Sequence, residues 1–206
     1  MPVPVPDRPL VTGTGTATAT PLPPQVIRYL LILALFTLGA SADSFLLLRA
    51  VEVGVPAAWV PLLWLALSGA KAASNIPGGR LADRFGRKRV LVAAWFLYAA
   101  FYAAAPHVTT PLAFAAIVIA YGGYYGLAEG SERALLAEQA PPSMRGRAFG
   151  AMHAVTGLAV LPANLLFGAL YAKHVALAFG LSAVCAAVAA LLLLLFVKEQ
   201  SAILPA

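Results

Sequence analysis

The sequence predicts an all-α integral membrane protein with six transmembrane helices, arranged as two inverted three-helix repeats. Only 11% of the 206 residues are charged, whereas about a quarter of the residues of a soluble domain are charged. The mean hydropathy is +0.85. The apolar residues fall in blocks of about 18–25, the length that crosses a bilayer core of roughly 30 Å.

Six apolar blocks can be drawn, and short turns rich in glycine and proline separate them. Because the turns are short, we expect consecutive helices to be antiparallel neighbours. The predicted spans cover residues 27–48, 57–76, 90–105, 112–135, 148–171 and 175–197.

The residues outside the six spans predict two short cytoplasmic segments. Residues 1–26 are rich in proline and threonine, a composition that favours extended, solvated backbone, so we expect a flexible arm or linker. Residues 27–197 form the membrane domain, and residues 198–206 form a short tail.

The cations predict the orientation. When the six spans are drawn across a membrane, ten cations fall on the side of the two termini, and only Arg49 and Lys173 fall on the opposite side. The positive-inside rule then places both termini in the cytoplasm, in a bacterial inner membrane. The net charge of +6 is explained by these membrane-flanking cations, so we expect the lipid bilayer, and no nucleic acid, as partner. The cations on the near side are Arg8, Arg28, Arg80, Arg84, Arg87, Lys88, Arg89, Arg145, Arg147 and Lys198.

A weak internal symmetry favours the inverted repeats. Spans one and four carry acids inside the membrane: Asp43 in one, Glu129 and Glu132 in the other. Spans two and five each contain a proline, Pro61 and Pro162. Paired interruptions at corresponding positions are typical of repeated transporter halves.

The basic segment after the second span carries a family resemblance. Residues 79–91 read Gly-Arg-Leu-Ala-Asp-Arg-Phe-Gly-Arg-Lys-Arg-Val-Leu. This resembles the cytoplasmic-loop signature of the major facilitator superfamily, Gly-x-Leu-Ala-Asp-Arg-x-Gly-Arg-Lys-x-x-Leu. Residues 38–50, 121–130 and 142–146 are also similar to the family. The resemblance covers 27–197 and fits the C-terminal six-helix half of a bacterial member.

The resemblance implies secondary active transport of a small solute by alternating access. Proton coupling is expected, since carboxylates in low dielectric bind and release protons near neutrality. Family members normally have twelve spans, so a second six-helix half or a homodimer partner is expected. The alternative is a non-transporting fragment, or a split half that functions only with a partner. We expect no enzyme and no cofactor, because no glycine-rich phosphate loop or cysteine–histidine cluster occurs.

The resemblance also implies a cytoplasmic gate. Asp83, Arg84 and Arg87 take the family's gating role. The Asp83 carboxylate, near helix ends, can accept backbone N–H bonds or pair with Arg87. Gly79 and Gly86 are expected to permit a tight turn. The competing interpretation is simple positive-inside anchoring. The facing loop adds Glu138, Arg145 and Gly146.

Inside the membrane, ionisable residues mark a substrate or proton path by default. The candidates are Asp43, Glu129, Glu132, Tyr124 and Tyr125. Alternative interpretations remain for each of them. Lys71 and Glu129 could form a purely structural ion pair, headgroups could solvate Glu132, and the tyrosines could serve only in packing.

Overall fold

The computed structural model describes residues 21–198, and within that range the chain is all-helical. Most of the predicted arm and tail therefore lies outside the described residues. Three short 3₁₀ turns join the helices at Ala57–Trp59, Ala105–His107 and Pro142–Met144. The α-helices are α1 (Pro24–Gly39), α2 (Asp43–Glu52), α3 (Val60–Phe85), α4 (Arg87–Ala104), α5 (Pro111–Gln139), α6 (Arg145–Lys173) and α7 (Val175–Phe196).

Five helical segments of the described range are long and apolar enough to cross a membrane. The predicted all-α class is confirmed. The second predicted span, α3, has sufficient length but is less apolar, because it carries Lys71, Asn75 and Arg80. The arrangement as six spans in two repeats stays a prediction. The five segments are Pro24–Glu52, Arg87–His107, Pro111–Gln139, Pro142–Lys173 and Val175–Phe196.

The first predicted span is interrupted between α1 and α2. Ala40 and Ala42 adopt extended backbone conformations, with ψ values of 142° and 145°. A break inside a membrane exposes amide groups that need partners. The Ser41 amide donates to the Tyr98 hydroxyl at 3.3 Å, and the Ala42 amide donates to Asn164 Oδ1 at 2.8 Å. The prediction of one continuous helix over 27–48 was therefore wrong.

The basic segment is mostly helical, and its turn is a single residue. Helix α3 continues to Phe85, and Gly86 connects it directly to α4 with φ of +93°. The predicted turn at Gly86 is confirmed, since glycine adopts this backbone without steric cost. Gly79 lies inside α3 with no positive φ, so the expected turn there was wrong.

Glycines bring the backbones of α3 and α5 into direct contact. A Cβ added at Gly78 would lie 1.8 Å from the Gly126 carbonyl oxygen, and one at Gly126 would lie 2.2 Å from the Ser74 carbonyl oxygen. One turn away, a Cβ at Gly122 would lie 2.7 Å from Ala70 Cβ. Gly122 and Gly126 form a Gly-x-x-x-Gly pair, the pattern that lets membrane helices approach closely.

Aromatic side chains fill the core between α1, α4 and α5. Phe36 stacks on Trp95 with ring centroids 4.5 Å apart, and Tyr98 stacks on Tyr102 at 4.1 Å. Helix α6 instead directs large apolar residues outward, and Leu158 is 79% exposed. This outward surface needs lipid or another protein to cover it.

Contacts at the helix ends define the two ends of the bundle. At one end, Arg28 donates to the Phe196 carbonyl at 3.0 Å, and Gln25 donates to the Gln139 carbonyl at 2.8 Å. We call this the basic end, because the α3–α4 connection also lies there. At the opposite end, the Tyr171 hydroxyl donates to Glu52 at 2.7 Å. Consecutive long helices are thus antiparallel, as predicted.

We predict that Gly126→Ala destabilises the protein, because its new methyl group collides with the backbone of α3. The expected loss is about 1–3 kcal/mol in the free energy of unfolding. The control is Gly130→Ala on the same helix, where a Cβ meets nothing within 4 Å. Denaturant unfolding in detergent measures both. Equal stability of the two variants would contradict the close helix crossing.

Candidate solute-binding site

A charged cluster lies between α2, α3 and α5. Asp43 accepts hydrogen bonds on both carboxylate oxygens, from Lys71 Nζ on Oδ2 and from the Tyr125 hydroxyl on Oδ1 at 3.1 Å. The Lys71 ammonium also lies 3.7 Å from the centroid of the Tyr125 ring, a cation–π contact. We call Asp43, Lys71 and Tyr125 the charged cluster. The two charged side chains remain 19% and 24% exposed.

Two local features of the chain assemble the charged cluster. The break before α2 makes Asp43 the first residue of a helix, where the helix dipole stabilises a carboxylate. The glycine crossing holds Lys71 against α5. There, Ser74 Oγ donates to the carbonyls of Lys71 at 2.9 Å and Gly122 at 3.2 Å.

The expected ion pair between Lys71 and Glu129 does not form. Lys71 pairs with Asp43, and Glu129 pairs with Arg133 at 2.8 Å, one turn along the same helix. Glu129 is exposed and lines a cavity of about 210 Å³ with Asn75, Gly130 and Arg133. The helix break places Asp43 within reach of Lys71. Residue spacing along a continuous helix does not predict this contact.

A second cavity, of about 170 Å³, lies next to the charged cluster. Such a volume holds about five waters at liquid density. Tyr124 and Tyr125 line it and also pack in the aromatic core, with Tyr124 5.3 Å from the Tyr98 ring. These tyrosines therefore pack in the core and also face the cavity, and their place on a substrate path stays a prediction. The polar residues of the lining are Thr37, Ser41, Tyr98, Tyr121, Tyr124, Tyr125, Glu132 and Thr156.

Glu132 faces the interior of the bundle. Its carboxylate accepts a hydrogen bond from Trp95 Nε1 at 3.1 Å, and its backbone carbonyl accepts one from the Tyr29 hydroxyl at 2.9 Å. The alternative that headgroups solvate Glu132 is therefore wrong. Glu129 and Glu132 do not share one environment, since Glu129 lies on the helix surface.

At the basic end, an ion pair connects α4 to α5. Arg87 donates to Glu138 at 2.5 Å, so of the two alternatives for Asp83 the pairing with Arg87 does not form. Within residues 21–198 Asp83 makes no ion pair, and it is exposed at the end of α3. Arg145 donates to the Ala137 carbonyl at 3.3 Å.

The other gate candidates lie around this ion pair. Arg84 is exposed and lies over the Phe85 ring at 5.3 Å. Gly146 is exposed in the first turn of α6, and Gly86 forms the turn before Arg87. Gly79 lies one turn before Asp83 on α3. The predicted gate residues therefore gather at one end of the bundle.

Sequence reasoning missed three residues of this region. Trp95 was assigned to packing or to an interface, whereas it is fully buried and hydrogen-bonded to Glu132. Asn164 was not considered, although an amide inside an apolar helix signals a buried polar partner. Ser41 after Gly39 could have signalled the helix break, because both residues are poor helix formers.

The fold defines a multi-pass membrane protein, and comparison with known proteins gives its family. The family model of the major facilitator superfamily matches residues 29–205. Over 179 residues the chain is 30% identical to an uncharacterized MFS-type transporter of Methanocaldococcus jannaschii. That match covers 84% of this chain and 45% of the relative. The chain belongs to the major facilitator superfamily, and it spans about half the length of this relative.

We predict that Lys71→Gln is destabilising, because it leaves Asp43 without its cation. The double variant Asp43→Asn/Lys71→Gln should recover part of the loss, with a coupling energy of about 1–3 kcal/mol. Unfolding in detergent measures the three variants. The control cycle uses Lys71→Gln with Glu129→Gln, which we expect to be additive. Additivity of the Asp43 cycle, or coupling in the Glu129 cycle, would contradict the ion pair.

Proposed function

We propose that this chain is the C-terminal six-helix half of a secondary transporter that moves a small solute by alternating access, coupled to protons. The charged cluster is the observation that carries the proposal. Ionisable groups inside a bilayer cost at least about 2.5 kcal/mol each and are kept for function. Packing alone gives no reason for a carboxylate, an ammonium and a phenol beside a polar cavity.

The solute path runs from the charged cluster along the tyrosine-lined cavity. Asp43 and Glu132 are the carboxylates that exchange protons on this path. Glu132 suits this role, because no salt bridge neutralises it within the described residues and Trp95 is its hydrogen-bond donor. Tyr124 and Tyr125 offer hydroxyls and ring faces to the solute, and Glu129 lines the neighbouring cavity toward the basic end.

The gate lies at the basic end. The Arg87–Glu138 pair holds α4 against α5, while Asp83 and Arg84 remain exposed. We assign the clamp on the facing half to these exposed charges. Exposed pairs contribute only about 0–1 kcal/mol, so such a clamp opens and closes easily.

We assign the facing side of the transport path to a partner. The exposed apolar residues of α3 and α6, such as Leu65, Ile76 and Leu161, form a surface for lipid and for a second half. A separate six-helix half or a second copy would supply that half. The alternative is a non-transporting fragment, or a split half that functions only with a partner. We place the basic end, and with it both termini, in the cytoplasm of a bacterial inner membrane.

Proton flux in liposomes tests the function. The protein is reconstituted around a trapped pH dye, and organic acids, amines and sugars are added by class. We expect one class to change the internal pH, and Glu132→Gln to abolish this change while the protein stays folded. The control is His153→Gln on the exposed surface of α6, which should retain the flux. The measurement is repeated with a cross-linked dimer and with a separate six-helix half of the family reconstituted beside this chain. If no solute class moves protons in any of these preparations, the proposed function is wrong.

We predict that Asp83→Asn slows transport without changing the abundance of the protein. Losing a gate interaction worth at most about 1 kcal/mol should lower the rate by up to about fivefold. Initial rates of uptake, normalised to protein in the membrane, measure this effect. Arg89→Gln serves as control, because it removes a charge assigned only to anchoring. An unchanged rate in Asp83→Asn would remove Asp83 from the gate.

A further inference from the structure

We infer that the transported solute is an anion, which binds the Lys71 ammonium when Asp43 takes up a proton. This inference rests on the proposed function and names the chemical class of its substrate. It follows from how the hydrogen bonds of the charged cluster are distributed.

Both carboxylate oxygens of Asp43 already accept a hydrogen bond, so a cationic solute would compete with two donors. Lys71 occupies Oδ2 and the Tyr125 hydroxyl occupies Oδ1. The amino end of α2 adds a further positive field at the same carboxylate. A cation would have to share the carboxylate with the Lys71 ammonium and work against this field.

Lys71 retains the capacity to bind an anion. An ammonium has three N–H donors, and within the described residues one of them is used, on Asp43. Its other contact is the Tyr125 ring, which stabilises a cation without consuming a donor. The side chain is also the more exposed member of the pair, at 24% against 19%.

Charge balance favours an anion together with a proton. The Asp43–Lys71 pair is neutral, and a buried site that gains an anion and a proton stays neutral. Binding a cation without losing a proton would leave a net positive charge in low dielectric. An anion enters the site at lower electrostatic cost because the proton enters with it.

The proton has a defined place in this exchange. It adds to Asp43 Oδ2, the oxygen that Lys71 releases, and no covalent bond other than this O–H forms. The titratable groups that face Asp43 from the packed helices are Lys71 on α3, Tyr121, Tyr124 and Tyr125 on α5, and Tyr102 on α4. Lys71 is the one cation in this set, so protonation of Asp43 leaves its charge available to the solute.

The test uses two aromatic probes of opposite and permanent charge. Benzenesulfonate and benzyltrimethylammonium have similar size, and both can contact the tyrosine rings. Binding to the purified protein in lipid nanodiscs is measured by displacement or calorimetry. Asp43→Asn mimics the protonated carboxylate. We expect this variant to bind benzenesulfonate at least tenfold more tightly than the unsubstituted protein near neutral pH.

Acidification should give the same gain in the unsubstituted protein. Carboxylic acids of ordinary acidity take up a proton at about pH 4, so benzenesulfonate should bind more tightly at about pH 4 than at about pH 8. Asp43→Asn should lose this pH dependence. Adding Lys71→Gln to Asp43→Asn should abolish binding. Adding Lys173→Gln, at the end of the bundle opposite the basic end, should leave binding unchanged.

Two results would overturn the inference. One is benzenesulfonate binding that is absent from Asp43→Asn or unaffected by Lys71→Gln. The other is binding of benzyltrimethylammonium that depends on Asp43. Failure of the proposed function is a separate result, because it appears as absent proton flux in liposomes while the binding measurements still report the charge preference.

Discussion

A charge inside a bilayer has to be paired, and this requirement organises the described part of the molecule. Asp43 and Lys71 neutralise each other among helices that are otherwise apolar, and Tyr125 contacts both. Removing one member of a buried pair costs far more than removing both. The pair therefore fixes how α2, α3 and α5 meet. Asn75 and Glu129, which line a cavity with Gly130 and Arg133 on the same two helices, α3 and α5, form a polar strip toward the basic end.

The charged cluster depends on two departures from regular helix packing. The break at Ala40–Ala42 costs backbone hydrogen bonds, and side chains from α4 and α6 replace them. The crossing at Gly78 and Gly126 removes all side-chain volume between α3 and α5. Both features bring together polar groups that are distant in the sequence. Discontinuous helices and close glycine contacts are typical of transporter halves that rock around a central site.

The sequence predicted most of the helices but few of the polar contacts. Block length and hydropathy located the helices of all six predicted spans to within a few residues at most ends, since the bilayer thickness sets helix length. The basic segment was placed correctly, and Gly86 was expected to turn. The pairing of Lys71 with Asp43 could not be predicted, because it depends on a helix break whose amide partners lie more than fifty residues away. The interpretation that headgroups solvate Glu132 failed for a similar reason, since its hydrogen-bond donor Trp95 belongs to another helix.

The central claim is that the polar strip is open to water, whereas the apolar surface beside it meets lipid or protein. Neighbouring residues of α3 test this directly. Asn75 lines the cavity next to Glu129, and Ile76 is 69% exposed on the apolar side. Single cysteines at these positions, in a Cys185→Ser background, are treated with a membrane-impermeant maleimide in intact membranes. The account predicts rapid labelling of Asn75→Cys and slow labelling of Ile76→Cys. Equal labelling, or the reverse order, would contradict it.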